Sequence, residues 1–236
     1  MTPLEPLAYS DGPTPLSGWL ARPAGSARAA VAVFPTFMNI TPGVAAKAAA
    51  LAAAGCLALI GDFYGPDAPC DSGGALAAME RLRADPLAMR ARLRATLAAL
   101  ETVAPPTIPR MAVGFCLGGM AVLELARDGA DLALAASFHG LLTTPLPATA
   151  PIKPRLLICH GDADALVPRS DVIALWEELD LVGADWHFMA FAGVAHGFTN
   201  PLTPAGAPNP AYNPGAERQS WVALMGLIDE IAPPLA

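Results

Sequence analysis

Positive charge is scarce in this chain. Of its 236 residues 14 are Lys or Arg, against 21 Asp or Glu, so the formal net charge is -7 at pH 7. The basic residues form no cluster. The electrostatic footprint that binds phosphate backbones is therefore missing, and no nucleic-acid partner is expected. Hydrophobic residues make up 54% of the chain and charged ones 15%, yet no apolar run approaches the ~18 residues that a membrane span requires. No membrane association is expected. The opening residues, MTPLEPLAYSDG, hold no basic stretch followed by an apolar core, which makes a cytoplasmic location the expectation. The four cysteines, Cys56, Cys70, Cys116 and Cys159, form no C-x-x-C pair and no metal spacing with histidine. Free thiols are expected, with neither metal nor cofactor. A small-molecule substrate is the expected partner, and the chain is expected to be a monomer or a homodimer.

What is present is alternation. LEPLAYSDGPTPLSGWLARP reads as two short strands around a Pro/Gly turn. AAVAVFP is a continuous apolar run, the pattern of a strand buried on both faces. A helical stretch, Gly43 to Ala54, leads to the strand CLALIGDFYG. Helical patterns follow at Ala75 to Ala84 and Pro86 to Leu100, then the strand IPRMAVGF and the helix CLGGMAVLELARDG. LALAASFHG and RLLICHGDAD read as strands, Ser170 to Leu181 as a helix, DWHFMAF as a strand, and Ala216 to Ile231 as a closing helix. No internal repeat or linker interrupts the series, and TNPLTPAGAPNPAYNPGAE reads as a surface loop. This pattern predicts one α/β domain over residues 1–236, with a mostly parallel, doubly wound sheet covered by helices on both faces. On such sheets ligands bind at the carboxyl ends of the strands.

Three strand ends carry reactive side chains. Gly114-Phe115-Cys116-Leu117-Gly118 has the spacing of a nucleophile elbow, G-x-S-x-G, with cysteine in place of serine. The turn from strand to helix is tight enough to exclude bulky neighbours, and a helix N-terminus favours a thiolate. A buried structural cysteine beside a tight turn is the bland alternative. Cys56 and Cys159, in apolar strands, read as small core residues. Asp162 and Asp164 both follow a strand. One can orient a histidine, while an Asp that merely bonds its own turn is common; Asp164 is read as the acid and Asp162 as the turn residue. His196 lies in a loop past the strand DWHFMAF, between small residues. The chain order Cys116, Asp164, His196 is the nucleophile–acid–histidine order of α/β-hydrolases.

GFCLGG, HGDADALVP and AHGF, with GDFYG after the second buried strand, resemble the dienelactone hydrolase family, from about Ala29 to the last helix. The resemblance implies the α/β-hydrolase fold. It implies Cys116 as nucleophile, Asp164 as acid and His196 as base. It also implies an oxyanion hole made by the backbone N–H groups of Leu117 and Phe37. Two positions depart from the family. Thr36 stands where a glutamate is expected near the nucleophile, and Asn200 where an arginine holds the substrate carboxylate; Arg81 or Arg83 is the candidate replacement for a further arginine. Substrate contacts are expected from Thr36, Met38, His139, Phe198 and Asn200, with Phe138, Leu141 and Leu142 nearby and Thr36 able to donate to the sulfur. The expected activity is hydrolysis of small neutral esters or lactones through a thioester. The alternatives are a promiscuous phosphotriesterase using the same triad, a carboxymethylenebutenolidase proper, and a non-catalytic binding member of the fold.

Overall fold

The computed structural model describes residues 3–234. Eight strands, β1 (Leu4–Asp11), β2 (Thr14–Ala21), β3 (Ala29–Phe34), β4 (Cys56–Ile60), β5 (Arg110–Phe115), β6 (Leu134–Phe138), β7 (Arg155–Gly161) and β8 (Trp186–Phe191), pair in the order β1-β2-β4-β3-β5-β6-β7-β8. The hairpin β1–β2 and its junction with β4 are antiparallel, and the remaining pairs are parallel. This is the α/β-hydrolase fold.

The period-2 geometry of a strand divides the core in two. In β3, Ala30, Ala32 and Phe34 face one side, together with buried residues of α2 (Ser72–Ala84), α3 (Pro86–Val103), α4 (Leu117–Arg127) and α5 (Arg169–Leu181). Ala29, Val31 and Val33 face the other, against α1 (Pro42–Ala53) and α6 (Pro214–Ile231). Burial on both faces explains why β3 to β7 are nearly continuous in apolar residues, while the edge strand β8 is only partly buried.

Two helices begin earlier than hydrophobic periodicity indicates. The Asp71 carboxylate accepts from the Gly74 amide at 2.7 Å and starts α2 at Ser72, across a Ser-Gly-Gly stretch that has no apolar pattern. The Asn213 side chain accepts from the Ala216 amide at 2.9 Å and starts α6 at Pro214. Caps satisfy otherwise orphaned N–H groups, so they set the boundary ahead of the first buried side chain. Behind α4, the buried Glu124 is paired with Arg90 and Arg127, and Arg127 reaches Glu178 of α5. This network ties α3, α4 and α5 together. Among the described residues no helix is long and apolar enough to cross a membrane.

Candidate active site

Cys116 occupies the turn between β5 and α4 with φ 56° and ψ -114°. Positive φ is unfavourable for a side chain with a Cβ and persists only where the surroundings enforce it. Here they do. A Cβ on Gly114 would stand 1.9 Å from the Gly118 carbonyl oxygen, and one on Gly118 would stand 2.0 Å from the Phe34 carbonyl oxygen. The two glycines let α4 start almost in contact with the ends of β5 and β3, and the chain can make that turn only by rotating Cys116 outward. The thiol is partly exposed, whereas Cys56 and Cys159 are buried.

Past β7 the chain turns through Asp162 and Asp164. The Asp162 carboxylate takes the Arg169 guanidinium, at 2.9 and 2.7 Å, on the exposed side. Asp164 is buried, and its Oδ2 lies 2.7 Å from Nδ1 of His196. Its Oδ1 accepts from the Leu166 amide at 2.9 Å. The local turn bond expected of Asp162 is therefore made by Asp164, which serves the turn and the histidine with different oxygens. This is possible because a carboxylate has two acceptor atoms.

His196 follows β8 by five residues, and Nε2 is buried without a hydrogen-bond partner among the described residues. Burial disfavours a charged ring, but the hydrogen bond to Asp164 and the adjacent Cys116 sulfur outweigh it and push His196 up to about 10. The ring thus keeps its proton through neutral pH, with Nε2 turned to the space it shares with Cys116.

That space is a cavity of about 400 Å³. Cys116, His196, Thr36, Phe37 and Met38 line one side, and the segment from Gly197 through Asn200 to Asn209 lines the other. Among the described residues that line it, His196 is the one ionisable side chain apart from the thiol. The loop after β3 is clamped in place. The Tyr64 hydroxyl donates to the Phe37 carbonyl at 2.8 Å, and Asn39, itself at φ 59°, donates to buried Asp62 at 2.9 Å. Asp62 Oδ1 also accepts the amides of Tyr64 and Gly65. The Phe37 N–H finds no protein acceptor among the described residues, and Leu117 is the first residue of α4, where helix N–H groups have no intrahelical acceptor. Sequence reasoning missed Tyr64, Asn39 and Asp62. The only local signal for Asp62 and Tyr64 is the GDFYG motif, Asn39 has none, and the contact between the two segments spans about two dozen residues of chain.

Of the expected substrate contacts, Thr36, Met38 and Asn200 line the cavity. His139 and Phe198 do not. Both are fully buried, and the expectation for them is corrected. His139 Nδ1 accepts the Cys116 amide, and Phe198 packs in the core with α6 and the strand ends. Phe138 and Leu142 are core residues as well. The Thr36 side-chain oxygen accepts from the Met38 amide at 3.3 Å, and no hydrogen bond joins it to the sulfur. Neither Arg81 nor Arg83 lines the cavity: Arg83 pairs with Glu80 and borders a separate hollow beside Met120 and Thr143.

The model of the family described as "Dienelactone hydrolase family" matches residues 16–232. The chain belongs to this family. Two solved structures superpose on it over 98% of its length, each with a TM-score of 0.88. One is a dienelactone hydrolase-like promiscuous phosphotriesterase, P91, from metagenomic libraries, 31% identical and 98% covered. The other, named m3DLH, is 36% identical and 99% covered. Among curated proteins, a probable 2-oxo-3-(5-oxofuran-2-ylidene)propanoate lactonase of a Bradyrhizobium species is 27% identical over 86% of this chain and 84% of its own. An uncharacterized protein of Caenorhabditis elegans is 34% identical over 60% of this chain and 93% of its own. As a dienelactone hydrolase family member with such neighbours, the protein is a hydrolase acting on ester bonds.

Proposed function

We propose that this dienelactone hydrolase family member cleaves small, uncharged esters or lactones by covalent catalysis at Cys116. One observation carries the reading: a strained, outward-turned cysteine and a histidine held by a buried aspartate open onto the same cavity, whose remaining lining is uncharged. The sulfur attacks the carbonyl carbon as a thiolate, and the negative charge passes to the carbonyl oxygen. The Leu117 and Phe37 N–H groups stabilise that oxyanion. As the carbon–oxygen bond to the leaving alcohol breaks, protonated His196 supplies the alcohol's proton, which leaves an acyl thioester.

Thioester formation removes the sulfur's charge, one of the influences that keep the proton on His196. The ring, now neutral, takes a proton from water as the water attacks the thioester, and the carbon–sulfur bond breaks to release the acid and regenerate the thiolate. Asp164 fixes the ring and stabilises its charged form throughout. These steps use only side chains and backbone amides of the chain, with no cofactor.

The carboxylate-bearing lactone named for the Bradyrhizobium relative fits this cavity poorly. Asn200 is neutral, and among the described residues no arginine lines the wall. A second reading, hydrolysis of neutral phosphotriesters, is favoured by the 31% identity to P91 together with that uncharged lining. The test is stopped-flow release of p-nitrophenol from p-nitrophenyl butyrate and from a p-nitrophenyl dialkyl phosphate. A burst of one equivalent that vanishes in Cys116→Ala is expected with the ester. Turnover that survives Cys116→Ala sinks the nucleophile assignment.

A further inference from the structure

Behind the nucleophile sits a second histidine that the reaction steps above leave unused. His139 follows β6 at φ 40°, a backbone conformation that is costly for this residue, and its side chain is fully buried. Nδ1 lies 3.1 Å from the Cys116 amide, which it shares with the Phe138 carbonyl at 3.0 Å. Nε2 lies 2.8 Å from the Thr199 hydroxyl, three residues beyond His196. The ring meets His196 edge-on, with centroids 5.3 Å apart, and Phe198 likewise at 5.2 Å.

We infer that His139 is a positioning residue, a neutral imidazole that locks the nucleophile turn to the loop carrying His196. The partners dictate its tautomer. The Cys116 amide can only donate, so Nδ1 must present a lone pair. The proton then resides on Nε2 and is donated to Thr199. Burial and the charge on His196 both keep the ring neutral. One rigid, fully buried ring therefore reads out both catalytic loops. If the tautomer reversed, two N–H groups would face each other at Cys116, and the turn holding the sulfur at φ 56° would lose one of the two acceptors of its amide. A hydrogen-bonded ring that spans both loops fixes the separation of sulfur and Nε2 more tightly than apolar packing can, because its acceptor and donor have defined directions.

This inference rests on the nucleophile assignment, and the experiment separates the two. Acylation rates from the burst and steady-state KM values are measured for the wild type, Cys116→Ala, His139→Asn, His139→Phe and Thr199→Val, each checked for folding by circular dichroism. In Thr199→Val the ring stays in place, but Nε2–H loses its acceptor and the tautomer is released. In His139→Asn the side-chain oxygen still accepts the Cys116 amide, and asparagine tolerates positive φ. His139→Phe keeps an aromatic ring without an acceptor. Acylation should fall on the order of 10- to 100-fold in His139→Phe and Thr199→Val, as expected for a displaced nucleophile, with KM within about twofold of wild type. His139→Asn, which keeps an acceptor for the Cys116 amide but cannot reach Thr199, should lose less than His139→Phe. If His139→Phe does not fold, Thr199→Val and His139→Asn decide the matter. A wild-type acylation rate in folded Thr199→Val, or a loss in His139→Asn as large as in His139→Phe, overturns the positioning role. A burst that survives Cys116→Ala overturns the nucleophile instead.

Discussion

Asp164 holds His196 with one carboxylate oxygen, Oδ2 to Nδ1 at 2.7 Å, and its own turn with the other, Oδ1 to the Leu166 amide at 2.9 Å. The two bonds fix the carboxylate so that rotation toward or away from the ring breaks one of them. Asp164→Asn preserves the shape but replaces one oxygen with a donor, which favours the wrong imidazole tautomer. We expect kcat to drop on the order of 10³- to 10⁴-fold, as in other Asp-His pairs of this kind. Asp162→Asn removes only an exposed pair with Arg169 and should leave kcat near wild type. The reverse ranking in steady-state assays would refute the assignment.

Substrate charge offers a second test. The cavity is lined by neutral groups around Cys116 and His196, and Asn200 occupies the wall where an arginine would meet a carboxylate. Neutral p-nitrophenyl esters should have a higher kcat/KM than carboxylate-bearing lactones. Asn200→Arg should move the preference toward the lactones, mainly through KM, because a fixed cation binds ground state and transition state alike. A wild-type preference for the anionic lactone, read from kcat/KM at low ionic strength, contradicts this reading of the cavity.

The charge of His196 links activity and stability to pH. Its folded-state value, about 10, lies above the ordinary histidine value of 6.5. The native state therefore binds a proton that the unfolded chain releases between those limits. The resulting stabilisation is complete below pH ~6.5 and is lost as pH rises toward ~10. Urea midpoints should fall over that window, and the fall should be smaller in Asp164→Asn, which lacks the main interaction holding the proton. Acylation, which needs the proton for the leaving alcohol, should fall off as pH passes about 10. A flat urea midpoint from pH 7 to 10 would show that the folded site takes up no net proton relative to the unfolded chain.

Gly118 tests the geometry of the turn. A Cβ there would lie 2.0 Å from the Phe34 carbonyl oxygen, and backbone cannot swing aside as a flexible side chain does. Gly118→Ala should destabilise the fold by about 1–3 kcal/mol, as overpacking does. It should also slow the burst by pushing α4 and the Leu117 amide away from β3. Thermal melts and burst kinetics on the same preparation would check both effects. Gly226→Ala, within α6 at a position where a Cβ meets nothing within 4 Å, is the control: it should leave the burst unchanged and should not lower the melting temperature, because alanine favours a helix interior.

Much of this protein is determined within short stretches of chain. Strand and helix alternate because apolar runs such as AAVAVF bury both faces, and helix faces repeat with their own period. Gly114, Cys116 and Gly118 make a nucleophile turn legible because a single backbone bend requires all three within five residues. The dienelactone hydrolase family was legible too, since its motifs are local. Tertiary structure alone decided which side chains face the cavity. Phe198 lies two residues from His196 in sequence and His139 at a strand end, yet both are buried. Nearness along the chain does not fix which way a side chain leaves a loop. The acceptor role of His139, the Tyr64 clamp on Phe37 and the double duty of Asp164 depend on partners 23, 27 and 32 residues away. Those contacts exist because the sheet order brings the ends of β3 to β8 side by side, and that is fixed by how the whole core packs.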